Sequence, residues 1–179
     1  MKKTVVINLF GSPGAGKSTG AAWLFAQLKM RNINAELVTE FAKDKTWENN
    51  AVALSCQEYV FGKQSYKLAR CRELVDVIVT DSPLPLGIIY NSTPHLGEEF
   101  NRTIINVFNT YDNMNYFIER DKPYNPIGRN QTEIESDRLT DKIKQMLDKY
   151  DIQYDTILGT EGAYKTILAD VLNYLSWNE

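Results

Sequence analysis

Residues 4–28 read TVVINLFGSPGAGKSTGAAWLFAQL, and this stretch decides the fold. Its first seven residues are mostly β-branched or apolar, the composition of a buried β-strand. A glycine-rich turn follows, and from Lys17 onward apolar residues recur at helical spacing. The turn, residues 11–18, matches the pattern G-x-x-x-x-G-K-[ST] between a strand and a helix, which is the context in which that pattern binds phosphate. We therefore predict a nucleotide-phosphate site at this turn.

Within this turn, each residue type suits phosphate chemistry. The glycines let backbone N–H groups turn toward phosphate oxygens, and the helix N-terminus adds the positive end of a dipole. The Lys17 ammonium can reach the β- and γ-phosphates, the Ser18 hydroxyl can ligate Mg²⁺, and the Thr19 hydroxyl can touch the α-phosphate. The predicted nucleotide-binding residues are Gly11, Ser12, Pro13, Gly14, Ala15, Gly16, Lys17, Ser18 and Thr19.

Along the rest of the chain, strand patterns alternate with helix patterns, which indicates an α/β fold with a parallel sheet. We predict strands at 4–10, 35–40, 75–81, 114–119 and 154–159. We predict helices at 17–31, 97–112, 132–150 and from about 160 to 176, with 51–75 forming one helix or two broken near Gly62. The expected architecture is a five-stranded, mostly parallel sheet with helices on both faces.

Length, charge and cysteine content limit the function classes. The 179 residues suit a single domain, 1–179, and the net charge of −3 provides no general footprint for nucleic acid. The two cysteines have no metal-binding spacing, which favours reduced thiols in a reducing compartment. The first apolar run is too short to span a membrane, so we expect a cytoplasmic protein with no membrane partner.

A second candidate site residue stands at the end of the strand predicted at 75–81. That strand ends in Asp81, and a carboxylate at the tip of a buried strand is the acidic partner that Mg²⁺ needs in a nucleotide site. We expect Asp81 to bind the metal together with Ser18, directly or through water. The alternative is that Asp81 only caps the turn before Pro83.

Two stretches, 81–96 and 120–131, fit neither period and directly follow strands, where ligands bind in open α/β sheets. The second is basic, with Arg120, Lys122 and Arg129 within ten residues. Arginines that close over a phosphoryl group in transfer stabilise its charge. Two prolines and a glycine fit a stiff lid that excludes water. We therefore predict a lid at about 120–131 with Arg120 and Arg129 as catalytic residues; the alternative is a solvated charged loop.

Transfer to a hydroxyl also requires a group that positions the hydroxyl and takes its proton. Glu40 ends the second predicted strand and is the first candidate for this base, with Asp44 as the runner-up and Asp81 able to share the role. Further candidates for contact with the acceptor are Trp47, Gln64 and Arg70. For Gln64 and Arg70 the alternative is plain helix surface.

Four segments, LFGSPGAGKST, LVTEFAKD, VDVIVTDSPL and RDKPYNPIGRNQTEIESD, occur in this order. Together they resemble the small P-loop ATPase/kinase proteins common in tailed bacteriophages, which are grouped with nicotinamide riboside kinase-like ATPase domains and, more distantly, with nucleoside and nucleotide kinases. The resemblance covers residues 4 to about 158. It implies a three-layer P-loop NTPase fold, ATP and Mg²⁺ at residues 11–19, lid arginines at Arg120 and Arg129, and acceptor binding around Glu40 and behind Asp81. For a bacteriophage protein, the compartment would be the host cytoplasm.

Three functions are open at this point. The first is a kinase that transfers the γ-phosphate of ATP to a hydroxyl or phosphate of a nucleoside, nucleotide or related riboside. The second is a kinase acting on hydroxymethyl-uracil bases in DNA, which would need a basic groove built from Lys43, Lys45, Lys63, Lys67, Arg70 and Arg72. The third is a non-kinase NTPase or a nucleotide-dependent regulatory module.

Overall fold

The computed structural model describes residues 4–91, 93, 95–127 and 132–177. Its strands are β1 (Val5–Phe10), β2 (Ala35–Val38), β3 (Val77–Thr80), β4 (Asp112–Glu119) and β5 (Asp155–Leu158). Its helices are α1 (Lys17–Met30), α2 (Phe41–Trp47), α3 (Ala51–Ser55), α4 (Gln57–Ala69), α5 (Leu86–Tyr90), α6 (Glu98–Phe108), α7 (Glu133–Lys149) and α8 (Glu161–Trp177).

The strands of the described part of the chain form one parallel sheet in the order β2-β3-β1-β4-β5. β1 lies at the centre, where Val5 pairs with Val77 of β3 on one side and with Asp112 of β4 on the other. The order of the strands therefore reverses beside β1, and in such sheets the ligand crevice lies at that point, beyond the carboxyl ends. The predicted α/β fold is confirmed, and the sheet is fully rather than mostly parallel.

Alternating side chains of β1 enter two separate cores. Val5, Ile7 and Leu9 pack with α1 and α8 on one face of the sheet. Val6 and Phe10 pack with residues of α4, α5, α6 and α7 on the other face. Each fully buried aliphatic side chain contributes about 1.5–3 kcal/mol. Burial on both faces explains why this strand is apolar at every position except Asn8. The packed strand gives the loop after Phe10 a rigid support.

The region predicted as 51–75 forms two helices, but the break was wrongly placed near Gly62. The break lies at Cys56, whose backbone is not helical. The Gln57 side-chain amide donates a hydrogen bond to the Leu54 carbonyl, 2.7 Å away, an acceptor that an unbroken helix would use in its own ladder. A Cβ atom on Gly62 would meet nothing within 4 Å, so α4 continues through that position at a cost of about 1 kcal/mol.

Two short helices, α2 and α5, arise where the sequence pattern predicts none. Helix α2 has no fully buried residue, so its sequence carries no apolar stripe. Contacts with α4 stabilise its first turn instead. The Phe41 N–H donates to Gln64 Oε1 at 2.9 Å, and the Phe41 ring meets the Tyr59 ring edge-on at 5.5 Å. Tertiary contacts, rather than local propensity, therefore form this helix.

Two observations bear on the predicted environment of the chain. Across the residues that the structure describes, none of the helices combines the length and the apolar character needed to cross a bilayer. Cys56 and Cys71 are free thiols, and burial raises the pKa of the Cys71 thiol. The cytoplasmic location and the absence of a membrane partner stay predictions.

Candidate active site

The loop between β1 and α1 has a backbone that only glycine adopts easily. Gly11, Gly14 and Gly16 have φ angles of 139°, 86° and 105°. A Cβ atom on Gly11 would also lie 2.6 Å from the carbonyl oxygen of Ile118 in β4. No side chain caps the N-terminus of α1, so its positive dipole end is open toward an anion. This geometry fits the phosphate site predicted from the sequence pattern.

Lys17, the first residue of α1, folds back over the loop. Its Nζ donates hydrogen bonds to the carbonyl oxygens of Gly11 at 2.7 Å and Ser12 at 3.1 Å. Ser18 and Thr19 follow with exposed side chains, and all three residues line the same cavity. The Lys17 ammonium and the Ser18 hydroxyl are therefore positioned beside the space that a nucleotide triphosphate would enter.

Three hydroxyl groups from distant helices fasten the loop from outside, and sequence reasoning missed them. Ser136 Oγ on α7 donates to the Pro13 carbonyl at 2.7 Å, and Thr140 Oγ1 on the same helix donates to Ser12 Oγ at 3.0 Å. Tyr164 on α8 donates its hydroxyl to the Gly16 carbonyl at 3.0 Å. The spacing of Ser136 and Thr140, four residues apart on one helix face, was the only available sign of this role.

Gly159, directly after β5, is a second residue that sequence reasoning missed. Its N–H donates to the Glu119 carbonyl at 2.8 Å, which holds it against the phosphate loop. A Cβ atom at this position would overlap the backbone carbonyl oxygen of Ala15. A side chain on residue 159 would therefore displace the loop itself.

We expect Gly159→Ala to lower the free energy of unfolding by about 1–3 kcal/mol, the usual range for overpacking. The same change should weaken nucleotide binding, because Ala15 belongs to the phosphate loop. Thermal unfolding and nucleotide titration measure the two effects. Gly162→Ala in α8 is the matched control: its added Cβ would meet only Thr160 Oγ1, at 4.0 Å, so neutral or slightly raised stability is expected. Equal stability and equal nucleotide affinity in the two variants would contradict the close packing of Gly159 against the Ala15 carbonyl.

One cavity of about 470 Å³ runs from the phosphate loop into a chamber beneath α2, α4 and α5. The phosphate end is lined by Pro13, Gly14, Gly16, Lys17, Ser18 and Thr19. The chamber is lined by Ala42, Lys43, Thr46, Leu54, Gln57, Val60, Phe61, Gln64, Ser82, Pro83, Leu84, Leu86, Gly87, Tyr90 and Ile127. Glu40 and Asp81 also line the cavity. The predicted donor site and a second space therefore form one continuous volume.

Asp81 follows β3, the neighbour of β1, so no strand separates it from the phosphate loop. Its side chain is only 4% exposed. Asp81 Oδ1 accepts the backbone N–H of Glu40 at 3.1 Å, which joins the ends of β2 and β3. This bond links Asp81 to the end of β2 and is not the predicted cap of the turn before Pro83. It is compatible with the predicted metal role, because only one carboxylate oxygen accepts the N–H and the residue still lines the cavity.

Glu40 lies in the residue position before α2, and its carboxyl group is half-buried in the cavity wall. Burial raises the pKa of Glu40, and the negative charges of Asp81 and Asp44 raise it further, while Lys17 and Lys43 act in the opposite direction. A carboxylate with a raised pKa accepts a proton more readily near neutral pH. The structure thus places a candidate base within the electrostatic reach of Lys17 and Asp81.

Two more polar side chains enter the chamber. Gln64, predicted to contact the acceptor, lines the cavity, but both ends of its amide are engaged: Oε1 accepts from Phe41 N–H, and Nε2 donates to the Ser82 carbonyl at 3.3 Å. Gln64 therefore clamps α2 to the end of β3. Tyr90, at the end of α5, was not predicted; burial first, and then the charge of Glu40, raise the pKa of its hydroxyl to about 12.

Three predicted acceptor residues do not line the cavity. Helix α2 contributes Ala42, Lys43 and Thr46 to the cavity lining, whereas Asp44 and Trp47 of the same helix are not part of it. Trp47 is 61% exposed. Arg70 lies beyond the end of α4 and pairs with Glu36 of β2 at 3.0 Å. In this structure these three side chains belong to the protein surface.

The predicted lid is described only in part, because Arg129 lies outside the described residues. Arg120 follows β4 and bonds through Nη2 to Asp137 at 2.6 Å and Glu133 at 3.2 Å, both on α7. Its Nη1 is buried without a hydrogen-bond partner among the described residues. Ile127, further along the same segment, lines the cavity. The segment thus extends from a fixed arginine to the cavity, and its function as a lid remains a prediction.

The residues present fit ATP and Mg²⁺. Within the described ranges, no group of three or more His, Cys, Asp or Glu side chains is arranged so that it could hold a metal ion. Mg²⁺ in nucleotide sites needs no such cage, since it usually binds one or two protein groups together with phosphates and water. Ser18 and Asp81, both on the cavity, would supply those groups. When bound, ATP would supply the phosphoryl group and Mg²⁺ would offset its charge.

A family model described as an AAA domain matches residues 6–160. The match begins in β1, ends just after β5 and includes every residue that lines the cavity. The chain belongs to this AAA domain family. No curated protein matches the chain.

The AAA domain is accordingly a P-loop NTPase that binds ATP, which confirms the coarse part of the predicted function. The nucleotide-binding loop predicted from the sequence lies inside the matched range. The finer resemblance, to nucleoside kinase-like proteins of bacteriophages, stays a prediction. The family match leaves the phosphate acceptor open, and the cavity is the structural feature that bears on it.

Proposed function

We propose that this AAA domain is a kinase that transfers the γ-phosphoryl group of ATP to a hydroxyl or phosphate of a nucleoside, nucleotide or related riboside. The observation that supports the proposal is the continuous cavity, which adds a walled chamber to the phosphate loop. An NTPase that transfers phosphate to water needs no such chamber. A kinase does, because it must hold an acceptor in line with the phosphoryl group.

The composition of the chamber favours an acceptor with a flat ring. Its apolar lining comes from Leu54, Val60, Phe61, Leu84 and Leu86. The Phe61 ring is held edge-on against Phe100 at 5.6 Å. Pockets for drug-sized organic ligands combine such apolar walls with a few polar groups that set orientation. A nucleoside has this character, with a ring for the walls and hydroxyl groups for the polar groups.

Around the proposed transfer, each protein group has a definite task. The Lys17 ammonium and the N-terminus of α1 stabilise negative charge on phosphate oxygens. The Glu40 carboxylate would accept the proton of the acceptor hydroxyl, since its raised pKa suits a base near neutral pH. Helices α2, α4 and α5 would exclude water from the chamber, which limits transfer to water.

A DNA acceptor is less well supported, because the basic side chains proposed for a groove are largely engaged within the chain. Lys45 pairs with Glu48, Lys67 donates to Thr39, Arg70 pairs with Glu36, and Arg72 donates to Thr110. A DNA groove needs cations that can replace the counterions of several phosphates. We therefore propose a small-molecule acceptor. Labelling of DNA is one of the possible results of the experiment that tests this proposal.

The decisive experiment supplies γ-labelled ATP and Mg²⁺ with separate nucleosides, nucleotides, ribosides and hydroxymethyl-uracil DNA. We expect the label to enter one class of small acceptor, and Lys17→Ala to serve as the blank. Label in DNA alone would replace the proposal with the base-kinase function. Label only in free phosphate, at a rate that no acceptor changes, would identify an NTPase without an acceptor and overturn the kinase proposal.

The raised pKa of Glu40 predicts a pH dependence. Only the ionised carboxylate accepts a proton, so kcat/KM should fall as pH decreases through the pKa of this group, which lies above its ordinary value of 4.5. The pH profile of kcat/KM measures the position of this acid limb. Glu40→Gln should lower the rate and remove the limb, whereas Glu48→Gln, on an exposed carboxyl nearby, should leave it in place. An unchanged limb in Glu40→Gln would assign the base elsewhere.

A further inference from the structure

Gln57 is a buried polar side chain whose oxygen has no partner in the described structure. The residue opens α4, is 7% exposed and lines the chamber. Its Nε2 donates to the Leu54 carbonyl at 2.7 Å. No hydrogen bond to its Oε1 is present among the described residues. The Oε1 atom is not among the fully buried unpaired atoms of the described residues, so it is accessible from the chamber, where a ligand can supply the missing donor.

The orientation of this amide follows from its contact with Leu54. A backbone carbonyl only accepts hydrogen bonds, so the NH₂ group of Gln57 must face it. The oxygen therefore faces away from Leu54. Gln57, Val60, Phe61 and Gln64 occupy one face of α4, and all four line the chamber. The unpaired oxygen belongs to the same wall as the Phe61 ring.

The position of Gln57 along α4 limits the size of the acceptor. Gln64 bonds to Ser82, the residue after Asp81, so that end of α4 lies beside the phosphate site. Gln57 stands seven residues earlier, about 10 Å along the helix axis. A bare sugar with its hydroxyl at the phosphate end would not reach that far. A sugar that carries a ring would extend toward Gln57 between the apolar walls.

We propose that Gln57 determines acceptor specificity by accepting a hydrogen bond from an N–H group on the ring of the acceptor. The inference rests on the proposed kinase function and narrows its substrate class to nucleosides or nucleotides whose base presents an N–H donor at the far end of the chamber. Uracil and thymine have a ring N–H, and cytosine and adenine have an amino group. The Phe61 ring and the aliphatic side chains contact the base, and Gln57 distinguishes bases by whether they present an N–H donor at this position.

The test compares each nucleoside with a partner in which methyl groups replace the N–H donor. The pairs are uridine with N3-methyluridine, cytidine with N4,N4-dimethylcytidine, and adenosine with N6,N6-dimethyladenosine. Binding is measured by calorimetry and phosphate transfer by label, both on the wild-type protein. We expect methylation of the preferred nucleoside to weaken binding by about 10- to 100-fold.

Gln57→Leu separates the lost hydrogen bond from a steric clash. In this variant the penalty for methylation should shrink to about twofold or less, because no acceptor remains to be left unpaired. A clash with the chamber wall would keep the penalty. Gln145→Leu, the same change on an exposed position of α7, is the control and should behave as the wild type. If Gln57→Leu fails to fold, Gln57→Met, which keeps a long side chain without an amide, takes its place. Absence of a methylation penalty in the wild type would overturn the role of Gln57 without any variant.

The outcomes distinguish the inference from the function on which it rests. Labelled nucleoside without sensitivity to methylation, or a penalty that Gln57→Leu retains, would overturn the role of Gln57 and leave the kinase in place. Binding that is sensitive to methylation, without any transfer of label, would uphold Gln57 and overturn the kinase. The same six compounds are also tested as their 5′-monophosphates. Absence of both binding and transfer for all the nucleosides and all the monophosphates would overturn both.

Discussion

Lys17→Ala should reduce phosphate transfer, or ATP hydrolysis, by at least about 100-fold, the usual cost of removing one donor that stabilises transition-state charge. The Lys17 ammonium is the positive side chain at the mouth of the phosphate loop, where it now bonds to the carbonyls of Gly11 and Ser12. A triphosphate would offer it stronger, charged acceptors. Release of labelled phosphate and labelled acceptor under saturating ATP measures the loss.

Lys43→Ala is the matched control for this prediction, because Lys43 also lines the cavity but stands on α2 with an exposed side chain. It should retain activity within a few-fold of the wild type. Circular dichroism and the melting temperature show whether Lys17→Ala keeps its fold, since the substitution also removes two hydrogen bonds within the loop. Turnover at the wild-type rate in a folded Lys17→Ala protein would refute the site assignment.

Asp81→Asn should lower kcat by about 100-fold and raise the Mg²⁺ concentration for half-maximal activity by about tenfold, in line with the loss of a charged group at or next to a metal. The substitution is nearly isosteric. The asparagine oxygen can still accept the Glu40 N–H that Asp81 Oδ1 accepts at 3.1 Å. The effect therefore reports the charge rather than the link between β2 and β3. Titration of activity with Mg²⁺ measures it.

Asp44→Asn makes the same chemical change on the exposed side of α2 and provides the control. Its Mg²⁺ dependence should match that of the wild type. Should Asp81→Asn show the same Mg²⁺ requirement and rate as Asp44→Asn, Asp81 would be reduced to a structural cap of the turn before Pro83.

Several features of the site were predictable because their causes are local. The glycines at 11, 14 and 16 set the loop through their own positive φ angles, and Lys17 begins the helix that follows. Asp81 was predictable because an acidic residue directly follows a short, wholly buried strand. The strand at the centre of the sheet was predictable because burial on both faces requires an apolar run.

Other features depend on contacts between distant segments, and no local pattern indicates them. Ser136 and Thr140 fasten the loop across separations of 123 and 128 residues, and Tyr164 does so across 148. Gly159 approaches Ala15 only after β5 has joined the sheet. Asp44 and Trp47 were predicted to contact the acceptor from their position after Glu40, whereas neither residue lines the cavity.

The sequence by itself determined the sheet, the phosphate loop and the acidic residue beside it, because hydrophobic period and glycine backbone angles act within a few residues. Only the tertiary structure decided the chamber. Its walls belong to α2, α4 and α5, which come together when Gln64 bridges Phe41 and Ser82. That assembly buries Glu40 and raises its pKa, and it leaves the oxygen of Gln57 to a ligand. Residues that are close in sequence thus form the phosphate-binding end of the site, whereas contacts between distant segments form the end that would hold the acceptor.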